Sequence, residues 1–70
     1  MFEIKLAKRL KTLRENKNLT QEKVASYLGV SRSAYTYYET GKTEPNLQAI
    51  FKLSKLYDMS VDELIAEKNR

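Results

Sequence analysis

Hydrogen-bonding side chains cluster on one face of a short predicted helix near the middle of the chain. At 100° per residue, a helix from Ser31 to about Thr40 separates a tyrosine-rich face from a small, polar one. Arginine can bond guanine O6 and N7 bidentately, and serine or threonine hydroxyls can bond several base edges in a DNA major groove. The polar face therefore suits contact with bases, through Arg32, Ser33, Thr36 and Tyr37. From its type alone, Tyr37 could instead bond a phosphate or stack.

The preceding predicted helix offers a place for an anion. Gln21 falls in the first turn of a helix from Thr20 to about Leu28, where unpaired N–H groups and the helix dipole favour a phosphate. The position alone fits an ordinary exposed glutamine equally well. Because this helix comes directly before the polar face, DNA contact is favoured over simple solvent exposure for that face. Lys42, in the loop that follows, is a further candidate for phosphate contact.

One carboxylate is predicted to point inward. Glu39 shares the tyrosine-rich face with Tyr35 and Tyr38, and a buried carboxylate is costly unless it is paired and hydrogen-bonded. Arg14, beside an apolar stripe in the first predicted helix, is the cation best placed to pair with it, since its planar fork fits a carboxylate bidentately. The alternative is a Glu39 side chain that reaches water beside the last turn of its helix.

Two short helices joined by a tight turn must position these residues. Thr20 and Ser31 can each cap a helix with a side-chain oxygen, and an apolar residue precedes each cap, as in a hydrophobic staple. Gly29 lies between the helices and can take the left-handed conformation that ends a helix abruptly, as Gly41 can after the second. Two helices joined so closely must cross, which is the helix-turn-helix arrangement.

Three more helices are predicted around this pair, so the chain is predicted to be all-α. The first runs from about Phe2 to Lys17 and ends where Asn18 can turn left-handed. The fourth is capped by Asn46, and the fifth opens with a capping box at Ser60. The residues expected to face the core are Phe2, Leu6, Leu10 and Leu13 in the first helix, Leu47, Ile50, Leu53, Ser54 and Tyr57 in the fourth, and Leu64 in the fifth, with Ile65 as a further candidate there and with Phe51 and Leu56 beside the fourth helix's stripe.

Length and composition narrow the classes of function. Seventy residues make a single domain, residues 1–70, without room for a deep substrate pocket. Cysteine and histidine are absent, so we expect no metal, no cofactor and no enzymatic activity. The net charge of +4 suits a nucleic-acid partner, although residues 1–19 hold the excess, with six Lys or Arg against two acids. No apolar run approaches the roughly 20 residues that span a bilayer, and no signal-peptide core is present, so we expect a cytoplasmic protein that binds no membrane.

Several short motifs recur in a fixed order along the chain. They are Leu13-Arg14-Glu15, Leu19-Thr20-Gln21, Leu28-Gly29-Val30-Ser31, Tyr38-Glu39, Gly41-Lys42, Pro45 and Ser60-Val61-Asp62-Glu63-Leu64. Together they resemble the Cro/repressor-type helix-turn-helix domain of bacteria and their phages, the XRE family. The resemblance covers about Leu6 to Ile65. Asn18 stands where the family usually has glycine, and tyrosines crowd the third helix.

The resemblance implies a compact five-helix, lambda-repressor-like domain that binds double-stranded operator DNA as a homodimer, with the third helix in the major groove. It implies base contacts at the polar face of that helix and an ion pair between Arg14 and Glu39. Phosphate contacts are implied at Thr20, Gln21, Thr40 and Lys42. Dimer contacts in the family usually involve the last helices, which makes candidates of Leu56, Met59, Val61 and Ile65.

The predicted function is that of a sequence-specific DNA-binding transcriptional regulator, a repressor that occupies a two-fold operator. No small-molecule ligand is expected. One alternative within the same fold is an antitoxin or a restriction-system controller. An alternative of a different class is a protein-interaction module that binds a protein partner through the third helix or through the region from Phe51 to Ile65, and binds no DNA.

Overall fold

The computed structural model describes residues 2–66, with side chains described from residue 6 onward. In this part of the chain, five α-helices are joined by short turns. They are α1 (Phe2–Asn16), α2 (Gln21–Leu28), α3 (Arg32–Thr40), α4 (Leu47–Leu56) and α5 (Val61–Ile65). The predicted all-α, five-helix architecture is confirmed, and α1 ends just before the predicted Lys17.

Helices α2 to α5 begin at residues that the sequence predicted as caps, and α1 to α3 end at predicted left-handed residues. Four side-chain oxygens accept a bond from the backbone N–H three residues later, those of Thr20, Ser31, Asn46 and Ser60. Asn18 ends α1 with φ of 58°, as predicted, and Asp58 follows α4 with φ of 56°, a turn that was not predicted. Gly29 has φ of 77°, and no atom would lie within 4 Å of an added Cβ. Its left-handed backbone, rather than crowding, therefore requires the glycine.

Helices α2 and α3 are held in place by the helices that pack against them. α3 packs against α1 and α2, while α4 packs against α2 and α5, and α5 also contacts α1. Tyr35, in the middle of α3, is fully buried. The other buried apolar residues come from all five helices and the turn after α4: Leu6, Ala7, Leu10, Val24, Ala25, Leu28, Tyr38, Ala49, Ile50, Leu53, Tyr57 and Leu64.

The predicted core of α4 needs one correction. Ile50, Leu53, Ser54 and Tyr57 are buried as predicted, but the Leu47 side chain is 78% exposed. Periodicity identifies the inward face of a helix, but it does not show how far along the axis its neighbours extend. At the first residue of α4, the described part of the chain leaves the inward stripe largely uncovered. The Phe2 side chain, also predicted for the core, lies outside the described residues.

Arg9 has a structural position that its charge alone did not reveal. A charged side chain on a helix such as α1 is ordinarily expected to keep its charge in water. Arg9 Nη1 instead donates to the backbone oxygens of Glu63 at 2.9 Å and Leu64 at 3.0 Å, within the short helix α5. Cations stabilise the carbonyl end of a helix, where backbone oxygens lack intrahelical partners. Arg9 therefore ties α1 to α5.

A single carboxylate joins the helices of the central motif to α1. Glu39 Oε2 accepts from Arg14 Nε at 2.6 Å, and Oε1 accepts from Arg14 Nη2 at 3.2 Å. The Tyr35 hydroxyl donates to Oε2 at 2.6 Å, and Gln21 Nε2 donates to Oε1 at 3.0 Å. The Glu39 side chain is 3% exposed and does not reach water as the alternative interpretation required. A carboxylate offers about four acceptor sites, and these four bonds occupy them.

Arg14 connects this cluster to the chain before α2. Its Nη1 donates to the Leu19 backbone oxygen at 2.9 Å, while its other nitrogens bond Glu39. The hydrogen bond to Glu39 is the main cause of a raised pKa for Arg14. Desolvation raises the pKa of Glu39, but hydrogen bonds from Arg14, Tyr35 and Gln21 outweigh it, and the pKa lies below its ordinary value. The carboxylate is therefore ionised at neutral pH.

Tyr57 presents a different situation, because its hydroxyl is buried and makes no hydrogen bond with any described residue. Burial, followed by the charge of Glu39, raises the pKa of Tyr57 to about 12. The Tyr35 hydroxyl, whose hydrogen is donated to Glu39, lowers the pKa of Tyr57, but by less than burial raises it. Burial also raises the pKa of Tyr35, with a further contribution from its bond to Glu39. Both hydroxyls are therefore held neutral in the folded protein.

Removing the cation from the cluster should sharply destabilise the fold. Arg14→Ala leaves Glu39 buried without a countercharge, and we expect a loss of about 3–5 kcal/mol in the free energy of unfolding. The measurement is urea denaturation followed by circular dichroism. Lys11→Ala, at an exposed site on the same helix, is the matched control and should change stability by less than about 0.5 kcal/mol. Adding Glu39→Gln to Arg14→Ala should restore part of the loss, since it removes the unpaired charge. A double variant that is less stable than Arg14→Ala would contradict this account.

Stability should also fall in alkali. A tyrosine in the unfolded chain ionises near pH 10, whereas folded Tyr57 keeps its proton to about pH 12. Above pH 10 the unfolded state therefore binds fewer protons, and the free energy of unfolding decreases as pH rises. Tyr57→Phe should make this decrease shallower and should cost no stability at pH 7, because it removes a buried hydroxyl without a partner. Urea denaturation at a series of pH values measures both effects, and equal alkaline slopes for the two proteins would contradict the assignment.

Candidate nucleic-acid interface

The starts of α2 and α3 open onto one continuous surface. A hollow of about 410 Å³ lies between them and is lined by Arg14, Leu19, Thr20, Gln21, Glu22 and Arg32. A second hollow of about 220 Å³ is lined by Arg32, Ser33, Thr36 and Tyr37. Arg32 lines both, so the two hollows adjoin at this residue. The first turn of α2 and the polar face of α3 thus lie on the same side of the molecule.

The structure brings together the four residues predicted to contact bases. Arg32, Ser33 and Tyr37 are exposed, and Thr36 is half-buried between them and α2. The opposite face of α3 supplies buried Tyr35 to the core. Anchoring one face in this way leaves the polar face free to enter a groove. A major groove is wide enough to admit an α-helix.

Gln21 lies differently from the exposed position that the sequence indicated. Its side chain is half-buried and makes hydrogen bonds with two side chains of α3. Nε2 donates to Glu39, and Oε1 accepts from the Thr36 hydroxyl at 2.9 Å. The side-chain amide is therefore bonded within the protein, whereas the backbone N–H groups of the first turn remain those that a phosphate could reach. Contact between Gln21 and a phosphate stays a prediction, and the group available for it is the backbone N–H of Gln21 rather than the side-chain amide.

The other three residues predicted to contact phosphates lie at the rims of this surface. Thr20 Oγ1 accepts from the Lys23 N–H at 3.1 Å as the cap of α2, and Thr40 Oγ1 donates to the Tyr37 backbone oxygen at 3.2 Å. Lys42 Nζ lies 4.9 Å from the centre of the Tyr37 ring. A cation–π contact at an exposed site contributes only about 0.5–1 kcal/mol. It is therefore too weak to prevent Lys42 from moving to a phosphate.

Two participants in the central cluster were not identified from the sequence. Tyr35 was assigned to the core, although it lies four residues before Glu39 and so faces the same side of α3. That spacing, with a hydroxyl at the end of a buried ring, was the available signal. Gln21 gave no comparable signal, because its bond to Glu39 depends on how α2 crosses α3.

The predicted dimer residues divide into two groups by exposure. Leu56, Met59 and Val61 are half-buried and pack against the core, while the Ile65 side chain is 36% exposed. Ile65 and Val61 line a hollow of about 210 Å³ together with Leu6, Glu44, Pro45, Leu47 and Ile50. Beside it, Phe51 is 58% exposed. Helices α4 and α5 therefore present an apolar surface apart from the α2–α3 hollows.

Two other kinds of site were sought among the described residues. No group of three or more histidine, cysteine, aspartate or glutamate side chains there could hold a metal ion. None of the helices described for this chain is long and apolar enough to cross a membrane.

Known proteins resemble this chain over most of its length. It is 43% identical over 58 residues to the HTH-type transcriptional activator BcrR of Enterococcus faecalis, a match that covers 83% of this chain and 28% of BcrR. It is 36% identical over 59 residues to the cryptic phage CTXphi transcriptional repressor RstR of Vibrio cholerae, covering 84% of this chain and 53% of RstR. The chain thus spans about half or less of the length of these relatives.

A solved structure matches the fold as well as the sequence. The restriction-modification controller protein C.AhdI from Aeromonas hydrophila superimposes with a TM-score of 0.78 and 36% identity, covering 87% of this chain and 92% of that one. A helix-turn-helix family model matches residues 10–64, from buried Leu10 of α1 to buried Leu64 of α5. The match includes the crossed helices α2 and α3 and the Arg14–Glu39 pair. The chain therefore belongs to the helix-turn-helix family of the XRE type.

Proposed function

We propose that this chain binds double-stranded DNA sequence-specifically and regulates transcription, with α3 in the major groove. The observation that carries the proposal is the grouping of Arg32, Ser33, Thr36 and Tyr37 around one hollow, beside the first turn of α2. These side chains supply both donors and acceptors. Such groups can distinguish the base pairs, because each base pair presents its own pattern of donors and acceptors in the major groove. The relatives that are named transcriptional regulators support the same function.

Phosphate contacts on either side would fix α3 in its groove. At one end, Thr20 and the backbone N–H of Gln21 lie in the first turn of α2, where the helix dipole favours an anion. At the other end, Thr40 and Lys42 follow the polar face of α3. Contacts of this kind position a protein on DNA, and the base contacts supply the sequence preference.

We also propose that the protein acts as a homodimer on a two-fold operator. The apolar surface of α4 and α5, with Ile65, Val61 and exposed Phe51, is suited to an interface that needs an apolar centre. The half-buried Leu56 and Met59 would support it from beneath. Repression of transcription is the simplest consequence, since a dimer that occupies a promoter keeps other proteins from binding there.

A second candidate function is control of a restriction-modification system. The controller C.AhdI supports it, because the match extends over 92% of that protein at 36% identity. A gene for a methylase or endonuclease beside this one would favour the controller. If the protein selects no DNA sequence from a random pool, the alternative is that it is a protein-interaction module.

Selection of sites from a random DNA pool tests the central proposal. We expect an enriched motif with inverted symmetry, whose half-sites lie about 34–36 Å apart along the duplex if the dimer places two α3 helices in successive major grooves. Affinity for the selected site should fall as salt increases, since phosphate contacts displace counterions. The absence of an enriched motif, together with affinity that is independent of salt, would overturn the proposal. A motif without inverted symmetry would overturn the two-fold dimer alone.

Two substitutions separate base contacts from phosphate contacts. Arg32→Ala should weaken binding to the selected site by about 1–3 kcal/mol and relax the preference at one base position. Lys42→Ala should weaken binding to all sequences alike and lower the slope of log affinity against log salt by about one. Fluorescence anisotropy at several salt concentrations, with selected and scrambled duplexes, measures both. Relaxed base preference in both variants would show that Lys42 also contacts a base.

A further inference from the structure

The hydroxyl of Thr36 is bonded entirely toward the protein. Its Oγ1 lies 2.9 Å from Gln21 Oε1 and 2.9 Å from the Arg32 backbone oxygen. A carbonyl oxygen can only accept, so the single hydroxyl hydrogen must point to one of these two oxygens. Whichever of them takes the hydrogen, the hydroxyl has none left for a partner outside.

The buried charge of Glu39 determines which way the Gln21 amide faces. An ionised carboxylate only accepts hydrogen bonds, so the amide group within 3.0 Å of Glu39 Oε1 must be the NH₂. The amide oxygen then faces Thr36. A reversed amide would place its oxygen against the carboxylate and its NH₂ against the Thr36 hydroxyl, which replaces a charge-assisted hydrogen bond to Glu39 with a repulsion between two oxygens. The orientation of Gln21 is thus fixed by Glu39, which Arg14 and Tyr35 hold in place.

We propose that Thr36 contacts its base only as a hydrogen-bond acceptor and therefore selects an exocyclic amino group, that of adenine or cytosine. Thr36 lines a hollow together with Arg32, Ser33 and Tyr37. Because its hydroxyl hydrogen is bonded within the protein, the lone pairs of Oγ1 are the polar feature that it has left for a partner there. In the major groove, the hydrogen-bond donors are adenine N6 and cytosine N4, whereas guanine O6 and thymine O4 are acceptors. An acceptor on the protein cannot bond to the latter two.

Thr36 differs in this respect from its neighbour Ser33. Both carry a hydroxyl on the polar face of α3, and an unconstrained hydroxyl can rotate to donate or to accept. For Thr36, the Gln21 amide oxygen and the Arg32 backbone oxygen together remove that freedom. Gln21 is the side chain of this pair, and it thus acts as a positioning residue for the base contact made by Thr36. This inference rests on the proposed function, because it concerns the base that α3 meets in the groove.

The experiment compares site selection by the wild-type protein, Thr36→Val, Thr36→Ser and Ser33→Ala. Valine keeps the shape of threonine without its hydroxyl, serine keeps the hydroxyl, and Ser33→Ala is the matched loss of a hydroxyl on the same face. We expect one position of the wild-type motif to require adenine or cytosine on one strand. Thr36→Val should lose this requirement, while Thr36→Ser and Ser33→Ala should keep it. Thermal unfolding of each variant shows that it is folded.

A base analogue then tests the donor directly. At that position, purine replaces adenine, or pyrimidin-2-one replaces cytosine, so that only the amino group is lost. Wild-type affinity should fall by about 5- to 150-fold, the range for one specific base contact, and the affinity of Thr36→Val should hardly change. The inference is overturned if the position that depends on Thr36 requires guanine or thymine, if no position depends on it, or if the analogue costs the wild type nothing. An absent motif for the wild type would instead overturn the proposed function, and this inference with it.

Discussion

A buried carboxylate is the constraint on which the arrangement of this domain depends. Glu39 is 3% exposed, and an ionised group at such a position is tolerated only if its acceptor sites are filled. The donors that fill them come from three helices: Arg14 on α1, Gln21 on α2 and Tyr35 on α3 itself. Apolar packing could accept several crossing angles of α2 and α3, whereas four directed bonds accept few. We infer that the Glu39 carboxylate contributes more to fixing the crossing of α2 and α3 than to the net free energy of unfolding.

The same bonds determine what the outer face of α3 offers to a partner. The cluster extends from Glu39 through the Gln21 amide to the Thr36 hydroxyl, so a buried charge acts on a side chain at the surface. Of the cations in residues 1–19, Arg14 is paired with the Glu39 carboxylate, whereas Arg9 donates to neutral backbone oxygens of α5 and keeps its charge. The charge of Arg14 is therefore neutralised within the protein and adds little to what a nucleic acid would meet. With Arg32 as the cation on the polar face, specificity should depend mainly on hydroxyls, on Tyr37 and on DNA shape.

Local signals made most of the fold predictable. Caps at Thr20, Ser31, Asn46 and Ser60 act within one turn of the chain, and α2, α3, α4 and α5 each begin directly after the predicted cap. The exposure of Leu47 was not predictable in this way, because it depends on how far neighbouring helices extend along α4. The hydrogen bonds around Glu39 also divide into those that charge and burial predicted and those that depend on how the helices pack. Arg14 could be matched to Glu39 from charge and burial, since an inward carboxylate needs a cation.

The position of Gln21 shows why part of such a site lies beyond the sequence. A glutamine amide can donate and accept equally well, so its type does not indicate whether it faces solvent, a phosphate or another side chain. Its orientation becomes defined only when the crossing of α2 and α3 brings an obligate acceptor, Glu39, to one end of the amide. The hydroxyl of Thr36 then faces two acceptors, the Gln21 amide oxygen and the Arg32 backbone oxygen, so its hydrogen points into the protein. Residues with one fixed role, such as caps and charges, can thus be assigned early, whereas amides and hydroxyls acquire their polarity from the fold.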